Sequence, residues 1–170
     1  RGSMNLVEST HPGTIKPAHQ ARWIRLRKSR GCDEDRTWIF TDGSSLGGFA
    51  AVILRGEEML TSADWKEPTP TKNIAAELNA LVLGLREAKQ GESVTIVSDY
   101  LGVAAWMTSN WKIKDQEVAR IIKTAKTIVE NLELDVRYIH HGSHQTDNSD
   151  FTRMNNLVDK LAGEMNKRGK

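Results

Sequence analysis

The alternation of apolar and polar positions is irregular over the first 36 residues and becomes ordered from Thr37 onward. "HPG", "KP" and "GCDED" interrupt residues 4–36 with turn formers, which predicts irregular chain there. "TWIFTD", starting at Thr37, is β-branched and aromatic with apolar neighbours on both faces, and predicts a buried central strand. "SLGG" predicts a turn. "FAAVILRGEEMLTSADW" then predicts two strands paired as a hairpin through "RGEE". After "PTPTKN" the period lengthens from two to that of a helix. Ile74, Leu78, Leu81, Leu85 and Ala88 form its buried stripe, and "QG" closes it.

"SVTIVSD" predicts a fourth strand and "YLGVAAWMTSNW" a short helix. "DQEVARIIKTAKTIVENL" predicts a longer helix with Val118, Ile121, Ile122, Ala125, Ile128 and Val129 on one side. "ELDVRYIH" predicts a fifth strand. Residues 152–167 predict a last helix striped by Met154, Leu157, Val158, Leu161 and Met165. The resulting order is β-β-β-α-β-α-α-β-α. Three consecutive strands followed by alternating units argue for a mixed sheet with helices on its faces.

Several acids stand where such a pattern calls for core. Asp42 and Asp99 close the apolar strands "WIFTD" and "TIVSD". If those strands are adjacent and parallel, both carboxylates emerge at C-terminal strand ends, where open α/β sheets place their sites. Glu77 lies three after Ile74 and four before Leu81, within the apolar stripe of its helix. A buried, unpaired carboxylate costs several kcal/mol, on the order of a broken buried ion pair. Asp42 or Asp99 alone reads equally well as a strand-end turn former or a helix N-cap. The three together call for a cation, and an all-oxygen donor set suits Mg²⁺ or Mn²⁺. Asn155 and Asp159 share one face of the last helix, which in isolation reads as a solvated face.

The composition is that of an ordinary globular protein, 38% hydrophobic and 27% charged over 170 residues, so one domain with a short arm is expected. The single cysteine, Cys32, excludes an internal disulfide and a multi-cysteine zinc site, and suits a reducing, cytoplasmic setting. No run of 18 apolar residues and no signal peptide is visible. The "RGS" before Met4 reads as an appended remnant. Residues 22–30, "RWIRLRKSR", hold five basic residues and no acid, which suggests a polyanionic partner held partly by this arm, or a solvated linker. Residues 1–36 are therefore set apart from a catalytic domain over 37–168.

At this point the residues resemble a known family. "TWIFTDGSS", "AAELNALVLGL", "VSD" and the H-x10-N-x3-D-x-LA run from His144 to Asp159 are similar to type 1 ribonuclease H. The fifteen-residue step from His144 to Asp159 most resembles the ribonuclease H domain of retroviral reverse transcriptases. The resemblance implies an α/β ribonuclease H-like fold, with a five-stranded mixed sheet in order 3-2-1-4-5 and helices on both faces. It implies that Asp42, Glu77, Asp99 and Asp159 bind two Mg²⁺ ions, with Mn²⁺ as a substitute, and that His144 is a catalytic histidine on a mobile loop. It also implies substrate contacts at Ser44, Lys72, Asn73, Trp106, Trp111 and Asn155, with core packing the competing reading of Trp106. By their charge, Arg25 and Arg27 of the arm should add salt-sensitive affinity. Two departures stand out. A basic helical protrusion common among cellular members is absent after the short helix. The phosphate pocket is altered, with Thr71 and Lys72 near one part and Lys114 or Asp115 where an asparagine is usual.

The activity implied is hydrolysis of the RNA strand of an RNA–DNA hybrid, leaving 3′-hydroxyl and 5′-phosphate ends, by a monomer or within a larger polymerase or polyprotein. Two other readings compete: a related nuclease acting on DNA, and an inactive nucleic-acid-binding module. A zinc cage at His140, His141 and His144 is disfavoured because neighbours on a strand point to opposite faces. His144 suits proton transfer near neutral pH. Deleting residues 1–30 is expected to weaken hybrid binding and flatten its dependence on salt. A titration of affinity against salt checks this, and an unchanged slope removes the arm from the phosphate contacts.

Overall fold

The computed structural model describes residues 7–8, 36–56, 58–109, 112–140 and 150–169, with backbone alone described at 7–8 and 150–153. Its elements in chain order are β1 (Val7–Glu8), β2 (Thr37–Gly43), β3 (Gly48–Arg55), β4 (Glu58–Trp65), α1 (Asn73–Arg86), β5 (Ser93–Ser98), α2 (Leu101–Thr108), α3 (Gln116–Asn131), β6 (Asp135–His140) and α4 (Asp150–Met165), with a 3₁₀ turn at Asn166–Gly169. The sheet runs β1-β4-β3-β2-β5-β6. Its five long strands therefore follow the expected 3-2-1-4-5 order. β2, β3 and β4 are antiparallel neighbours, while β2, β5 and β6 run parallel. The expectation of irregular chain over residues 4–36 meets one difference. Val7–Glu8 pairs in parallel with Met59 and Leu60 and so adds a two-residue strand outside β4. The last helix also begins two residues earlier than its stripe suggested, because Asp150 and Phe151 precede the first apolar repeat.

Two cores explain why β2 and β3 carry apolar residues without alternation. Trp38 and Phe40 point to one face, where Met154, Val158, Leu161 and Met165 of α4 cover them. Ile39 points to the other, with Leu78, Leu81 and Leu85 of α1 and Ile121 and Ile122 of α3. α1 lies between the sheet and α3, so it is buried nearly all round rather than on one stripe. At the N-terminal ends of the parallel strands, polar staples close the sheet. Arg36, 4% exposed, donates to Thr95 Oγ1 at 3.1 Å, to the Val94 carbonyl at 2.7 Å and to Asp135 at 2.8 Å. The Asp135 carboxyl is held low by that guanidinium.

Gly84 sets how closely α1 approaches the sheet. A Cβ there would lie 2.6 Å from Ile39 Cγ2 and 3.3 Å from Thr41 Cγ2. The Ile39 methyl hangs directly from its Cβ and cannot swing clear in a packed core. Gly84→Ala gains about 1 kcal/mol of helix propensity against an overpacking cost of about 1–3 kcal/mol. We expect a net loss of roughly 1 kcal/mol, read as a lower midpoint in urea denaturation.

Candidate active site

The period of two along β2 decides what stands at its end. Even-numbered residues Trp38 and Phe40 face α4, and odd-numbered Ile39 faces α1. Asp42 continues the α4 side and Gly43 the α1 side. A Cβ on Gly43 would lie 2.3 Å from the Ala76 carbonyl carbon and 2.5 Å from the Glu77 nitrogen, so only glycine admits α1 this close. The Gly43 N–H then donates to Glu77 Oε1 at 2.5 Å and to Asp42 Oδ1 at 2.9 Å, tying the two acids to one backbone group. Asp99 follows β5, whose Ser98 pairs with Thr41 of β2. The expected adjacency of two parallel strands thus delivers both aspartates to one edge.

Oxygens of Asp42, Glu77 and Asp99 lie within 4.8 Å of one another. Asp42 is 5% and Glu77 7% exposed. Asp159 approaches from the exposed face of α4 and acts on Asp42 through a side-chain hydrogen bond and its charge. Among the described residues no lysine or arginine pairs with any of these acids. Burial raises the Glu77 carboxyl first, Asp99 and Asp42 raise it further, and it is pushed up to about 12. Asp42 is pushed up to about 8, by burial foremost and by Asp99 and Asp159, against the opposing hydrogen bond from Glu77. Close oxygen donors with unbalanced charge fit a hard divalent cation such as Mg²⁺ or Mn²⁺.

The remaining nominated residues fall into three groups. Lys72 and Asn73 are exposed at the start of α1, and Lys72 takes a left-handed φ of 45°, a strain of order 1 kcal/mol for an L-residue. Asn155 is 9% exposed on α4, and half-buried Trp106 packs against the core on the α1 side of the sheet, its ring 6.0 Å from that of Tyr100. Ser44 is committed locally, its hydroxyl accepting from Leu46 N and from the Asn166 amide. His144, Trp111, Arg25 and Arg27 lie outside the described residues. In the altered phosphate pocket, Asp115 caps α3 by accepting from Val118 N at 2.9 Å. Glu117 takes the hydroxyls of both Thr69 and Thr71.

Three contributors had no role assigned to them from the sequence. His140 places a ring nitrogen 3.1 Å from the Asp99 carbonyl, through the Ser98–His140 pairing of β5 and β6. Asn166 joins the far end of α4 to the β2–β3 turn, accepting from Gly48 N at 2.8 Å and donating to Ser44 Oγ at 2.9 Å. Gly43 was visible only as part of a short motif. Its necessity is a matter of three-dimensional clearance.

A mixed sheet in this order, helices on both faces and acids gathered where β2 and β5 end define a ribonuclease H-like α/β protein. A sequence model of the RNase H family matches residues 34–167, and the chain belongs to that family. A ribonuclease H of Caldicellulosiruptor saccharolyticus is 26% identical over 142 residues, 75% of this chain and 93% of that protein. RNase H1 of Halobacterium salinarum superposes with a TM-score of 0.63 at 20% identity, over 78% of this chain and 98% of the other. LC11-RNase H1, solved in complex with an RNA/DNA hybrid, superposes at 0.62 with 17% identity, over the same shares. Family and fold together support ribonuclease H activity. No helix among the described residues is long and apolar enough to cross a membrane.

The raised carboxyls fix how stability responds to pH. Asp42 and Glu77 retain protons in the fold that the unfolded chain releases near its ordinary values of 3.8 and 4.5. Their contribution is complete below those values and is lost as pH rises toward the folded values. The lowered Glu92 and Asp135 carboxyls act oppositely, but only in acid. In EDTA, the thermal midpoint is expected to fall by several degrees from about pH 5 to about pH 8, and millimolar Mg²⁺ to restore it chiefly at the higher pH. Differential scanning fluorimetry checks this; a midpoint indifferent to Mg²⁺ at both pH values rejects the cation site.

Proposed function

We propose that this protein is a metal-dependent endonuclease that hydrolyses the RNA strand of RNA–DNA hybrids. The observation that carries the reading is the convergence of three carboxylates, two of them buried, with Asp159 beside them and no lysine or arginine paired with them among the described residues. Asp42, Glu77 and Asp99 would hold one divalent cation, and Asp159 with Asp42 would help hold a second. Bound cations supply a more acidic water and stabilise a leaving 3′ oxygen, which leads to 3′-hydroxyl and 5′-phosphate ends.

The chain's own groups do the rest. The Gly43 N–H fixes the Glu77 carboxylate, so its other oxygen stays available to a ligand or to a water. Burial of Asp42 and Glu77 keeps bulk water from screening their charges. His144 would accept or pass a proton near neutral pH. Asn73 and Lys72, exposed at the head of α1, would meet a nucleic-acid backbone. Recognition of RNA would rest on 2′-hydroxyls in the shallow minor groove, with little base preference. The hybrid held by the fold neighbour LC11-RNase H1 supports this choice of substrate.

Asp42→Asn is expected to lower cleavage by at least about a thousandfold, consistent with the loss of several kcal/mol of transition-state stabilisation. Its melting midpoint without metal should hold or rise, since one repelling charge is gone. The assay compares a labelled hybrid, an RNA duplex and a DNA duplex in Mg²⁺, Mn²⁺ and EDTA. Preferential cutting of the DNA duplex would favour the DNA-acting alternative, and retained activity in Asp42→Asn would exclude the carboxylate core.

A further inference from the structure

Two adjoining depressions lie between α1, α3 and the end of β4, outside the carboxylate cluster. The first, about 60 Å³, is lined by Lys66, Lys72, Asn79 and Arg120 over Ala75 and Ala76. The second, about 140 Å³, is lined by Lys66, Asn79, Arg86 and Arg120 over Val82 and Ile121. Lys66, Asn79, Arg120 and Ile121 belong to both, so the two form one continuous trough.

Its charge is unbalanced. Lys66, Lys72, Arg86 and Arg120 are all exposed, and none makes a side-chain hydrogen bond or ion pair among the described residues. The acids bordering the trough are mostly engaged elsewhere. Asp64 pairs with Arg168 at 3.3 Å, and Glu117 accepts from Thr69 and Thr71. Glu67 is the remaining acid in the lining. Four cations face two carboxylates that no cation pairs among the described residues, Glu67 and Glu117, with the half-buried Asn79 amide between them.

The trough has a direction. It begins at Lys72, the residue before α1, and passes Ala76, which precedes Glu77 of the carboxylate cluster. It ends at Arg86, the last residue of α1. Fourteen helical steps span about 21 Å, the axial length of about six nucleotides at 3.4 Å per strand.

We infer that this trough is a phosphodiester track, which grips nucleic acid lying beyond the nucleotides at the carboxylate cluster. The inference rests on the nuclease reading for its choice of ligand. Spaced guanidinium and ammonium groups with no internal partner match a repeating anion, and Arg86 and Arg120 present the planar forks that suit phosphate oxygens. Such contacts add affinity without base preference and weaken with salt. Among the described residues no helix stands between α2 and α3, and the track supplies a basic grip in the absence of a protrusion there.

The test measures binding in EDTA, so that no cleavage is required. Two hybrids are compared, one just long enough to be cut and one extended by about six nucleotides on either side. Wild type should bind the extended hybrid about tenfold more tightly than the short one. Arg86→Glu with Arg120→Glu should abolish that gain and reduce the salt slope on the extended hybrid by about two. Arg86→Lys with Arg120→Lys should retain most of it. Lys89→Glu with Lys123→Glu, the same change in net charge at exposed positions outside the trough, should leave gain and slope nearly as in wild type. Equal effects of the two charge-reversed pairs, in variants with matching thermal midpoints, overturn the track and leave only the general field of the molecule. Cleavage in Mg²⁺ is scored separately on the short hybrid. Wild type that fails to cut but keeps the slope difference disproves the nuclease reading and spares the track; cutting without a slope difference does the reverse.

Discussion

The constraint on which this molecule depends is the burial of Glu77 against Asp42. Neither side chain can shed its charge to a protein cation, because the described structure offers none within reach. Left to itself, the pair responds by keeping protons, which is why both carboxyls sit well above the ordinary range. Such an arrangement opposes folding, and a ligand that reversed the balance would stabilise the fold. A hard divalent cation would restore the charges and draw the oxygens of Asp42, Glu77 and Asp99 together, so the repulsion that weakens the free protein would become the affinity of the site.

The sheet supplies the geometry through ordinary strand rules. Parallel pairing of β2 with β5 brings Asp42 and Asp99 to one end, and the alternation along β2 sends Asp42 toward α4 and Gly43 toward α1. Two glycines then let α1 descend. Gly84 permits contact with Ile39, and Gly43 permits contact with Ala76 and Glu77. Because one helix makes both contacts, the depth at which Glu77 sits is set by core packing at the opposite end of α1. Asn166 performs a related service for α4, fixing the helix that carries Asp159 to the turn that follows Asp42.

Much of this was legible in the sequence because period and composition agree. The β-branched runs at Thr37 and Ser93, the hairpin through "RGEE" and the stripes of three helices each reflect one local burial pattern. Glu77 announced itself as an acid in an apolar stripe, and the structure buries it. Asp159 did so only through the family resemblance: by pattern its exposed helix face reads as solvated, and its influence on Asp42, from the same side of the sheet, is not a local feature. Arg36 was silent, since a lone arginine before a strand gives no sign that Val94, Thr95 and Asp135 will surround it. The family match that begins at residue 34 includes it. What sequence pattern cannot carry is contact between elements distant along the chain, and His140 beside the Asp99 carbonyl is of that kind.

The same distinction would separate the two ways proposed for this chain to hold nucleic acid. Chemistry at a phosphodiester requires groups placed to a fraction of an ångström, and the carboxylates stand on rigid elements pinned by the Gly43 N–H and by close-packed glycines. Grip along a strand requires only charge at intervals, so it tolerates long, exposed side chains such as Lys66 and Arg86. Precision would then be concentrated where strands end, and affinity spread along the surface of α1. Thr69 and Thr71 mark the boundary between the two: with their hydroxyls held by Glu117, the loop before α1 is braced from within, and the cations on either side of it remain available to a strand lying across.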